Sequence, residues 1–298
     1  MKYNAKDIEN IIYEYLPEES GYPKKVIEAM NYAFRAGGKR LRPMMMKLCY
    51  DMYADPADVN DTSVVGPFMA AIEMIHTYSL IHDDLPALDN DELRRGLPTV
   101  HVKYGEDMAI LAGDGLLNYA YETAAKAFSA RPGDTNIEKA YTILACKPGI
   151  NGMVGGQVLD VMLTGSPVDD NQLEYIYINK TAALIECSMM TGALLAGADD
   201  SDTKCIEQAA RAVGMAFQVQ DDILDVTSSS EVLGKPVLSD EKNDKYTYVT
   251  IHGMDKSREY VNIMSERANQ LIAGLNVINE DARIELMELI RMLIDREK

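Results

Sequence analysis

Two groups of aspartates carry the clearest chemical signal in this sequence of 298 residues. The members of the first group are Asp83, Asp84 and Asp89, and those of the second are Asp221, Asp222 and Asp225. Carboxylates this close repel one another, by about 4 kcal/mol for two unit charges roughly 4 Å apart at an effective dielectric of about 20. Clusters of hard oxygen ligands suit Mg²⁺, which binds through carboxylates, waters and substrate phosphates. We therefore expect the two groups to hold magnesium ions that bridge a diphosphate.

The second group lies in the segment FQVQDDILDV, within a helical pattern that runs from about residue 205 to 226. Asp221 and Asp222 precede Asp225 by four and three residues, so the three carboxylates share one face of a helix. Gln218 lies on the same stripe, about one turn earlier. A solvated acidic face is the alternative interpretation of such a run.

The first group does not fit a straight helix, because Pro86 makes a continuous helix through this segment unfavourable. If the helix ends near Leu85, the turn that follows could return Asp89 to the side of Asp83. Asp91 is the alternative third ligand on spacing alone, since it lies two helical turns after the paired aspartates.

Basic side chains accompany the aspartates. Arg94 and Arg95 follow the first group at once and offer forked donors for phosphate oxygens. The segment GGKRLRP places Lys39 and Arg42 in a glycine-rich stretch that enters a helix, which predicts a phosphate cradle. Lys180 shares a helix face with apolar residues, where an unpaired ammonium would be costly. A lysine that reaches past this face to solvent is the alternative.

Three further polar residues lie near these motifs. His76 is on the helix that leads into the first aspartate group, and by itself it is more typical of a satisfied core histidine. The segment GMVGGQVLD places Gln157 and Asp160 three residues apart, after glycines that permit two helices to approach closely.

Composition excludes several classes of protein. The chain has 47 acidic and 29 basic residues, a formal charge of −18, so it has no basic field to attract nucleic acid or an anionic membrane. Its four cysteines are far apart, which argues against a zinc site or a disulfide framework. The acidic, amphipathic N-terminus is not a signal peptide. The apolar stretch 64–81 contains Glu73 and His76, so we expect a core helix rather than a membrane span and a cytoplasmic protein.

The elements that must position these residues are helices. Apolar residues recur every three or four positions and strand signals are nearly absent, so we predict an all-α fold of ten or more helices. No break between them resembles an interdomain linker, which predicts one domain over residues 1–298. A single large bundle of this kind can hold a site between facing helices.

Taken together and in this order, the motifs resemble the trans-isoprenyl diphosphate synthases, the polyprenyl synthetase family. The resemblance covers most of the chain and is carried by GGKRLRP, IEMIHTYSLIHDDLPALDNDELRRG, GEDMAILAGD, GMVGGQVLD, NKTAALIECS, GMAFQVQDDILD and LGKPVLSDEKNDKYTYV. It implies an all-α bundle with a deep central cavity, as a homodimer. It also implies that an allylic diphosphate is joined to isopentenyl diphosphate with release of pyrophosphate, the expected proton acceptor.

The resemblance assigns a role to each motif residue. It implies about three Mg²⁺ ions per site, two of them held by Asp83, Asp84 and Asp89 and the third by Asp221, Asp222 and Asp225. The allylic diphosphate would be bound by Arg94, Lys180 and Lys235. Isopentenyl diphosphate would be bound by Lys39, Arg42, His76 and Arg95. The groups nearest the reacting carbons, classed as catalytic, would be Lys180, Thr181 and Gln218. Support from outside the site would come from Gln157, Asp160, Asp107 and Asp114.

In this family, bulky residues just before the first aspartate motif limit product length. Tyr78 and Ser79 lie five and four residues before Asp83, which favours a bacterial-type farnesyl diphosphate synthase. A geranylgeranyl diphosphate synthase is the nearest alternative, and a non-catalytic regulatory subunit of the same fold is a more distant one. A terpene cyclase would not need cations for a second diphosphate. The chain departs from the family pattern at Leu97, where lysine is common, and at residues 147–148, Lys-Pro where small residues are usual.

Overall fold

The computed structural model describes residues 2–57, 61–227 and 246–294, and nearly all of their regular structure is helical, as the sequence predicts. In chain order the helices are α1 (Ala5–Ile12), α2 (Lys24–Arg35), α3 (Leu41–Tyr53), α4 (Val65–Asp83), α5 (Val100–Tyr104), α6 (Glu106–Ala130), α7 (Thr135–Cys146), α8 (Met153–Leu163), α9 (Asp170–Ile176), α10 (Ala183–Leu195), α11 (Asp200–Thr227), α12 (Tyr248–His252), α13 (Met254–Ala273) and α14 (Glu280–Ile294). The shorter elements are a 3₁₀ turn (Tyr13–Tyr15), a π-helix (Tyr177–Ala182) and the strands β1 (Leu93–Arg94) and β2 (Leu97–Pro98).

Helices α4 and α10 form the centre of the bundle. Every residue of α10 is buried, and α4 is buried along most of its length. Helix α4 packs against α3, α6 and α10, while α10 also packs against α7 and α11. A helix that is apolar on all sides is stable when other helices surround it. The burial of α4 confirms the core helix predicted at residues 64–81. Within the described ranges, no helix is long and apolar enough to cross a membrane.

Two glycines let neighbouring helices approach closely in this centre. A Cβ on Gly192 of α10 would lie 2.1 Å from the backbone oxygen of Met46 in α3. A Cβ on Gly156 of α8 would lie 2.3 Å from the backbone nitrogen of Lys180. Side chains do not fit at such distances, so glycine is required at both positions. As a result, α8 packs directly against the π-helix that carries Lys180.

The π-helix continues α9 into α10 without a break, so residues 170–195 form one helical rod. π-Helical turns are rare, and they occur mostly as short bulges at functional sites. This one contains Lys180 and Thr181, which are both predicted site residues. Helix α11 packs against the same π-helix, and this packing brings the second aspartate group beside it.

The β1–β2 hairpin departs from the helical pattern that the sequence predicts. Its two antiparallel strands are joined by Arg95 and Gly96, whose φ angles are +53° and +77°. Two-residue hairpin turns of this kind need positive φ at both positions, and Asn-Gly is the usual signal for them. Arginine rarely adopts positive φ, so the sequence gives no warning of the turn. The hairpin positions both arginines next to the end of α4.

The buried apolar residues form one cluster, with members from α1 at one end of the chain to α14 at the other. Its members come from most of the helices, which agrees with a single bundle. The single domain over residues 1–298 stays a prediction.

Candidate active site

The first aspartate group lies where α4 ends. The helix ends at Asp83 with Asp84 as its C-cap, close to the predicted end at Leu85. The chain then turns back, and the backbone N–H of Asp89 donates a hydrogen bond of 2.9 Å to the carbonyl oxygen of Asp83. The turn around Pro86 therefore returns Asp89 to Asp83, as the sequence predicts.

Asp84 is paired with an arginine of the hairpin. This aspartate is 3% exposed, and its two carboxylate oxygens lie 2.8 and 2.9 Å from Nε of Arg94, which donates to them. Burial raises the pKa of Asp84, and the Arg94 guanidinium opposes that rise. Asp91, the alternative third ligand, lies 3.7 Å from the same guanidinium with half of its side chain exposed. Arg94 thus already offsets part of the negative charge of this group.

Asp83 projects into a cavity and contacts the opposite wall. Its Oδ1 accepts a hydrogen bond of 2.8 Å from Nε2 of Gln157 on α8. Burial raises the pKa of Asp83 to about 6; the nearby Lys180 ammonium opposes this rise and Asp89 adds to it. A carboxylate that is costly to ionise in the free protein gains from a bound cation. This is the behaviour expected of a metal ligand.

The three aspartates of the second group lie in different surroundings. Asp221 lines the same cavity as Asp83. Asp222 is 2% exposed, and its Oδ2 accepts hydrogen bonds from the Tyr177 hydroxyl at 2.5 Å and from the backbone N–H of Tyr248 at 3.1 Å. These contacts connect α11 to the π-helix and to α12.

Asp225, one turn further along α11, is 4% exposed. Of the three aspartates in this group, Asp221 is the one that lines the main cavity. The spacing predicts a shared helix face, and burial distinguishes its members: Asp222 and Asp225 are buried while Asp221 is partly accessible.

Lys180 is held at the cavity by an ion pair. Its Nζ lies 2.6 Å from Oδ2 of Asp160 on α8, which explains how an ammonium is tolerated on an apolar helix face. The next residue, Thr181, donates from its hydroxyl to Oε1 of Gln218 at 2.8 Å. Nε2 of Gln218 in turn donates to Asp222 at 3.3 Å. Thr181 and Gln218 are therefore connected across facing helices, and Lys180 is the sequence neighbour of Thr181 at the same cavity.

Arg42 and His76 both line the cavity. The Nε of Arg42 is buried and has no hydrogen-bond partner among the described residues. Burial, reinforced by the charges of Arg42 and Arg95, lowers the pKa of His76 well below its usual value, so its imidazole is neutral at pH 7. A buried donor without a protein partner is costly. An anionic ligand such as a diphosphate would remove this cost.

The segment GGKRLRP is joined to the hairpin and to α4. Arg95 donates a hydrogen bond from Nη1 to the carbonyl oxygen of Gly37. Lys39 is exposed. Arg40, between Lys39 and Arg42 in the chain, is 2% exposed, and its Nη1 lies 2.7 Å from Oε1 of Glu73 on α4. This buried ion pair fixes the segment on α4. A buried arginine in a glycine-rich turn leaves no local sequence signal.

The cavity has a volume of about 580 Å³ and continues behind the polar groups along α4. Tyr78 and Ser79 line it there. Tyr78 is 7% exposed, and its ring packs edge-on against the His82 imidazole with 5.8 Å between centroids. The hydroxyl of Ser79 donates to the carbonyl oxygen of His76 at 2.9 Å. The predicted product-length residues therefore lie at the cavity.

The two predicted supporting residues of α6 do not line the cavity. Asp107 and Asp114 are exposed on α6, because that helix turns its small apolar residues towards α4. Their supporting role stays a prediction. Lys235 lies outside the described residues. Within residues 2–57, 61–227 and 246–294, no three acidic, histidine or cysteine side chains converge closely enough to hold a metal unaided. Mg²⁺ that also binds waters and substrate phosphates does not need such a preformed cage.

The departures from the family pattern lie away from the cavity lining. Lys147 forms ion pairs with Glu186 of α10 and, at 2.7 Å, with Glu207 of α11. It is thus a structural cation that joins three helices. Leu97 is 40% exposed in β2. Neither residue replaces a group that has an assigned role in the site.

Comparison with known proteins agrees with this site. The chain matches the polyprenyl synthetase family over residues 23–278. The farnesyl diphosphate synthase of Geobacillus stearothermophilus is 40% identical over 270 residues, which cover 91% of this chain and 89% of that protein. Large subunit 1 of the chloroplastic heterodimeric geranylgeranyl pyrophosphate synthase of Arabidopsis thaliana is 43% identical over 258 residues, which cover 85% of this chain and 68% of that protein.

Solved structures show the same fold. The crystal structure of a geranyltransferase from Helicobacter pylori, complexed with magnesium and isoprenyl diphosphate, has a TM-score of 0.83 and 30% sequence identity. The match covers 97% of this chain and 93% of that one. With the fold, the order of the motifs and these relatives in agreement, the chain belongs to the polyprenyl synthetase family and is a prenyltransferase of isoprenoid biosynthesis.

Proposed function

We propose that the chain is a farnesyl diphosphate synthase. It condenses isopentenyl diphosphate first with dimethylallyl diphosphate and then with geranyl diphosphate, and each step releases pyrophosphate. The observation that carries the proposal is a cavity that Asp83 and Asp221 line together with Tyr78, which is buried on the same helix as Asp83. Five residues of helix separate Tyr78 from Asp83, about 7.5 Å at 1.5 Å per residue. This limits the length of the prenyl chain that fits.

The acidic residues have the donor chemistry for magnesium. All are hard oxygen ligands, and the raised pKa of Asp83 shows that its charge is costly without a cation. We propose that three ions bind, two at Asp83, Asp84 and Asp89 and one at Asp221, Asp222 and Asp225. A carboxylate has about four lone-pair sites, so Asp84 and Asp222 can bind an ion and keep their protein partners. When bound, magnesium supplies Lewis-acid stabilisation of the charge that develops on the leaving diphosphate.

The cations of the chain divide into two diphosphate sites. Arg94 and Lys180 lie beside the carboxylates and would bind the allylic diphosphate, with Lys235 as a further candidate outside the described residues. Arg42, whose buried Nε lacks a protein partner in the described structure, would bind isopentenyl diphosphate. His76, Lys39 and Arg95 would contribute to this second site. The neutral imidazole of His76 can donate one hydrogen bond without adding a charge.

The remaining polar groups act on the reacting carbons. Oxygen dipoles of Thr181 and Gln218 lie at the cavity wall, where they would stabilise positive charge on the allylic fragment. Apolar side chains from α8 and α11 line the rest of the cavity and exclude water from that fragment. The released pyrophosphate would accept the proton that leaves the coupled product.

A geranylgeranyl diphosphate synthase is the second candidate. The names of several relatives, which are geranylgeranyl synthases, favour it. A non-catalytic regulatory subunit is less favoured, because every aspartate and cation with an assigned role within the described ranges is present. Product length therefore decides between two enzymes.

The test is to incubate the purified protein with Mg²⁺, isopentenyl diphosphate and dimethylallyl diphosphate, and to size the products. We expect C15 as the main product. Tyr78→Ala should shift it to C20 or longer, and Ser79→Phe should shift it to C10. A wild-type protein that makes mainly C20 would refute the farnesyl assignment. A Tyr78→Ala variant that stays active and still stops at C15 would remove its physical basis.

We also propose that the protein is a homodimer. Helix α6 exposes large apolar side chains along one side, with Ile110 at 47% and Leu111 at 50% exposure, and such patches often mark protein interfaces. Light scattering of the purified protein should give twice the mass of the 33.1 kDa chain. The cytoplasmic location stays a prediction.

A further inference from the structure

The cavity has a second wall, on α8, to which the sequence motifs assign no role in product length. Tyr78 and Ser79 line the cavity from α4, and α8 lines it from the other side. The α8 residues along it, which lie on one stripe of the helix, are Met153, Val154, Gln157, Val158, Val161 and Met162. A prenyl chain that grows past Tyr78 must therefore also pass the lower end of α8.

One hydrogen bond fixes the level of α8 relative to α4. Gln157 contacts Asp83 at 2.8 Å, so these two residues lie at the same depth. Lys147, six residues before α8 begins, is paired with Glu186 of α10, whereas Asp160 near the end of α8 is paired with Lys180. Helix α8 therefore runs antiparallel to residues 177–195, and its start lies towards α10, which is buried along its whole length. Helices α4 and α8 thus both run from the core towards the aspartates.

Equal steps back along both helices reach the same depth. Four residues before Asp83 is Ser79, and four residues before Gln157 is Met153. Four residues of helix correspond to about 6 Å. Equal helical steps from the Gln157–Asp83 hydrogen bond therefore place Met153 at about the depth of Ser79, in the cavity that both residues line.

Exposure along α8 supports this placement. Met153 is 6% exposed, whereas Val154, Val158 and Met162 are 38%, 52% and 71% exposed. Val161, also on this wall, is 46% exposed, so Met153 is the buried apolar residue among those that α8 contributes to the cavity.

The backbone under Met153 cannot move away easily. A Cβ on Gly152 would lie 1.9 Å from the carbonyl oxygen of Lys147, and the next turn is held by Gly156 against Lys180. With the backbone fixed, the size of the side chain at position 153 sets the space at this depth. Methionine has three rotatable bonds and adapts to the shape beside it.

We propose that Met153 is a specificity-determining residue that sets product length together with Tyr78. The inference rests on the proposed prenyl-elongating function, and it concerns which residues stop elongation rather than which product the wild type makes. Its thioether closes the α8 side of the floor, and the Tyr78 ring closes the α4 side. Removing either one opens a path for a further isoprene unit.

The experiment compares product distributions from isopentenyl and dimethylallyl diphosphates for the wild type and four variants. Met153→Ala should lengthen the main product by at least one isoprene unit relative to the wild type. Met153→Phe should shorten it. Met153→Leu, of similar volume, should leave it unchanged, and so should Val158→Ala, which truncates the same wall at the level of Asp83.

The outcomes separate this inference from the proposed function. Unchanged product length in both Met153→Ala and Met153→Phe would overturn the inference, even if the wild type makes C15. A wild type that makes C20 would refute the farnesyl assignment, and an altered length in the Met153 variants would still support the inference. If Val158→Ala lengthens the product as much as Met153→Ala does, the change reflects a general loss of packing, and the inference about Met153 is overturned. Met153→Phe tests the inference independently if Met153→Ala does not fold, since adding volume opens no cavity.

Discussion

Replacing Asp83 by asparagine should stabilise the metal-free protein while abolishing its activity. Burial raises the pKa of this carboxyl from 3.8 to about 6. At about 1.36 kcal/mol per pKa unit, the difference corresponds to a folding cost of about 3 kcal/mol when Asp83 is charged. The cavity admits water, which screens the charge, so we expect a gain of about 1–2 kcal/mol from the neutral isostere. Asparagine also retains an oxygen that can accept the hydrogen bond from Gln157.

The sign of the pH dependence follows from the direction of the shift. Because the pKa of Asp83 is higher in the folded protein than in the unfolded chain, folding is penalised when this group is ionised. The penalty is absent below about pH 4, grows between about pH 4 and 6, and is complete above that range. Asp83→Asn should therefore exceed the wild type in stability at about pH 8 and match it near pH 4.

Urea unfolding of the two proteins in chelator, at both pH values, measures this difference. Turnover assays with Mg²⁺ on the same samples should show a loss of activity by orders of magnitude. A variant that is equally stable or less stable than the wild type at about pH 8 would refute the reasoning. It would mean that Lys180 and Gln157 already compensate the buried charge fully.

The other predictions concern metal, substrates and packing. Chelation of Mg²⁺ should abolish turnover, and Asp221→Ala should lower kcat by orders of magnitude without unfolding the protein, as pyrophosphate release and circular dichroism would show. Arg42→Ala should raise the KM for isopentenyl diphosphate more than that for the allylic substrate, and Lys180→Ala should do the reverse or lower kcat, in assays that vary each substrate in turn. Gly192→Ala should lower the free energy of unfolding by about 2 kcal/mol, because the added methyl would lie 2.1 Å from the backbone oxygen of Met46.

Each of these predictions has an outcome that contradicts it. Undiminished turnover in chelator would rule out the metal-dependent mechanism. Equal effects of the Arg42 and Lys180 variants on both substrates would show that the two diphosphate sites are not separate. Gly274→Ala is the matched control for the packing test, because its Cβ would meet neighbours only at 3.6 Å. A Gly192→Ala variant as stable as this control would show that α3 and α10 can separate without cost.

Local sequence patterns predict the helices and the positions of the aspartates well. The periodicity of residues 64–81 predicts a buried helix, and Pro86 predicts both the end of α4 and the return of Asp89 to Asp83. The helical pattern around the second group predicts a helix from about residue 205 to 226, and α11 spans Asp200–Thr227. These features depend on residues within a turn or two of each other, so a local pattern contains the information.

Contacts between distant parts of the chain are harder to predict. The partner of Lys180 is Asp160, twenty residues earlier, and that of Arg40 is Glu73, thirty-three residues later. Both pairs depend on how whole helices pack. The hairpin is a different case, since its turn uses Arg95 at positive φ, a conformation that its residue type does not favour. Exposure of Asp107 and Asp114 likewise depends on which side of α6 meets α4.

The π-helix between α9 and α10 has a consequence for how this chain tolerates changes in length. An α-helix advances about 100° per residue, so deleting one residue from an ordinary helix rotates everything beyond it relative to everything before it. A π turn accommodates one residue more than an α turn over the same height. Loss of one residue within Tyr177–Ala182 would convert the bulge to α-helix while leaving α9 and α10 close to their present relative orientation, and only the residues of the bulge itself would change direction. Helix α10 would then stay packed in the core, while the side chains of Lys180 and Thr181 would no longer point into the cavity. The bulge is thus a position where an insertion or deletion would change the chemistry of the protein before it changed the fold.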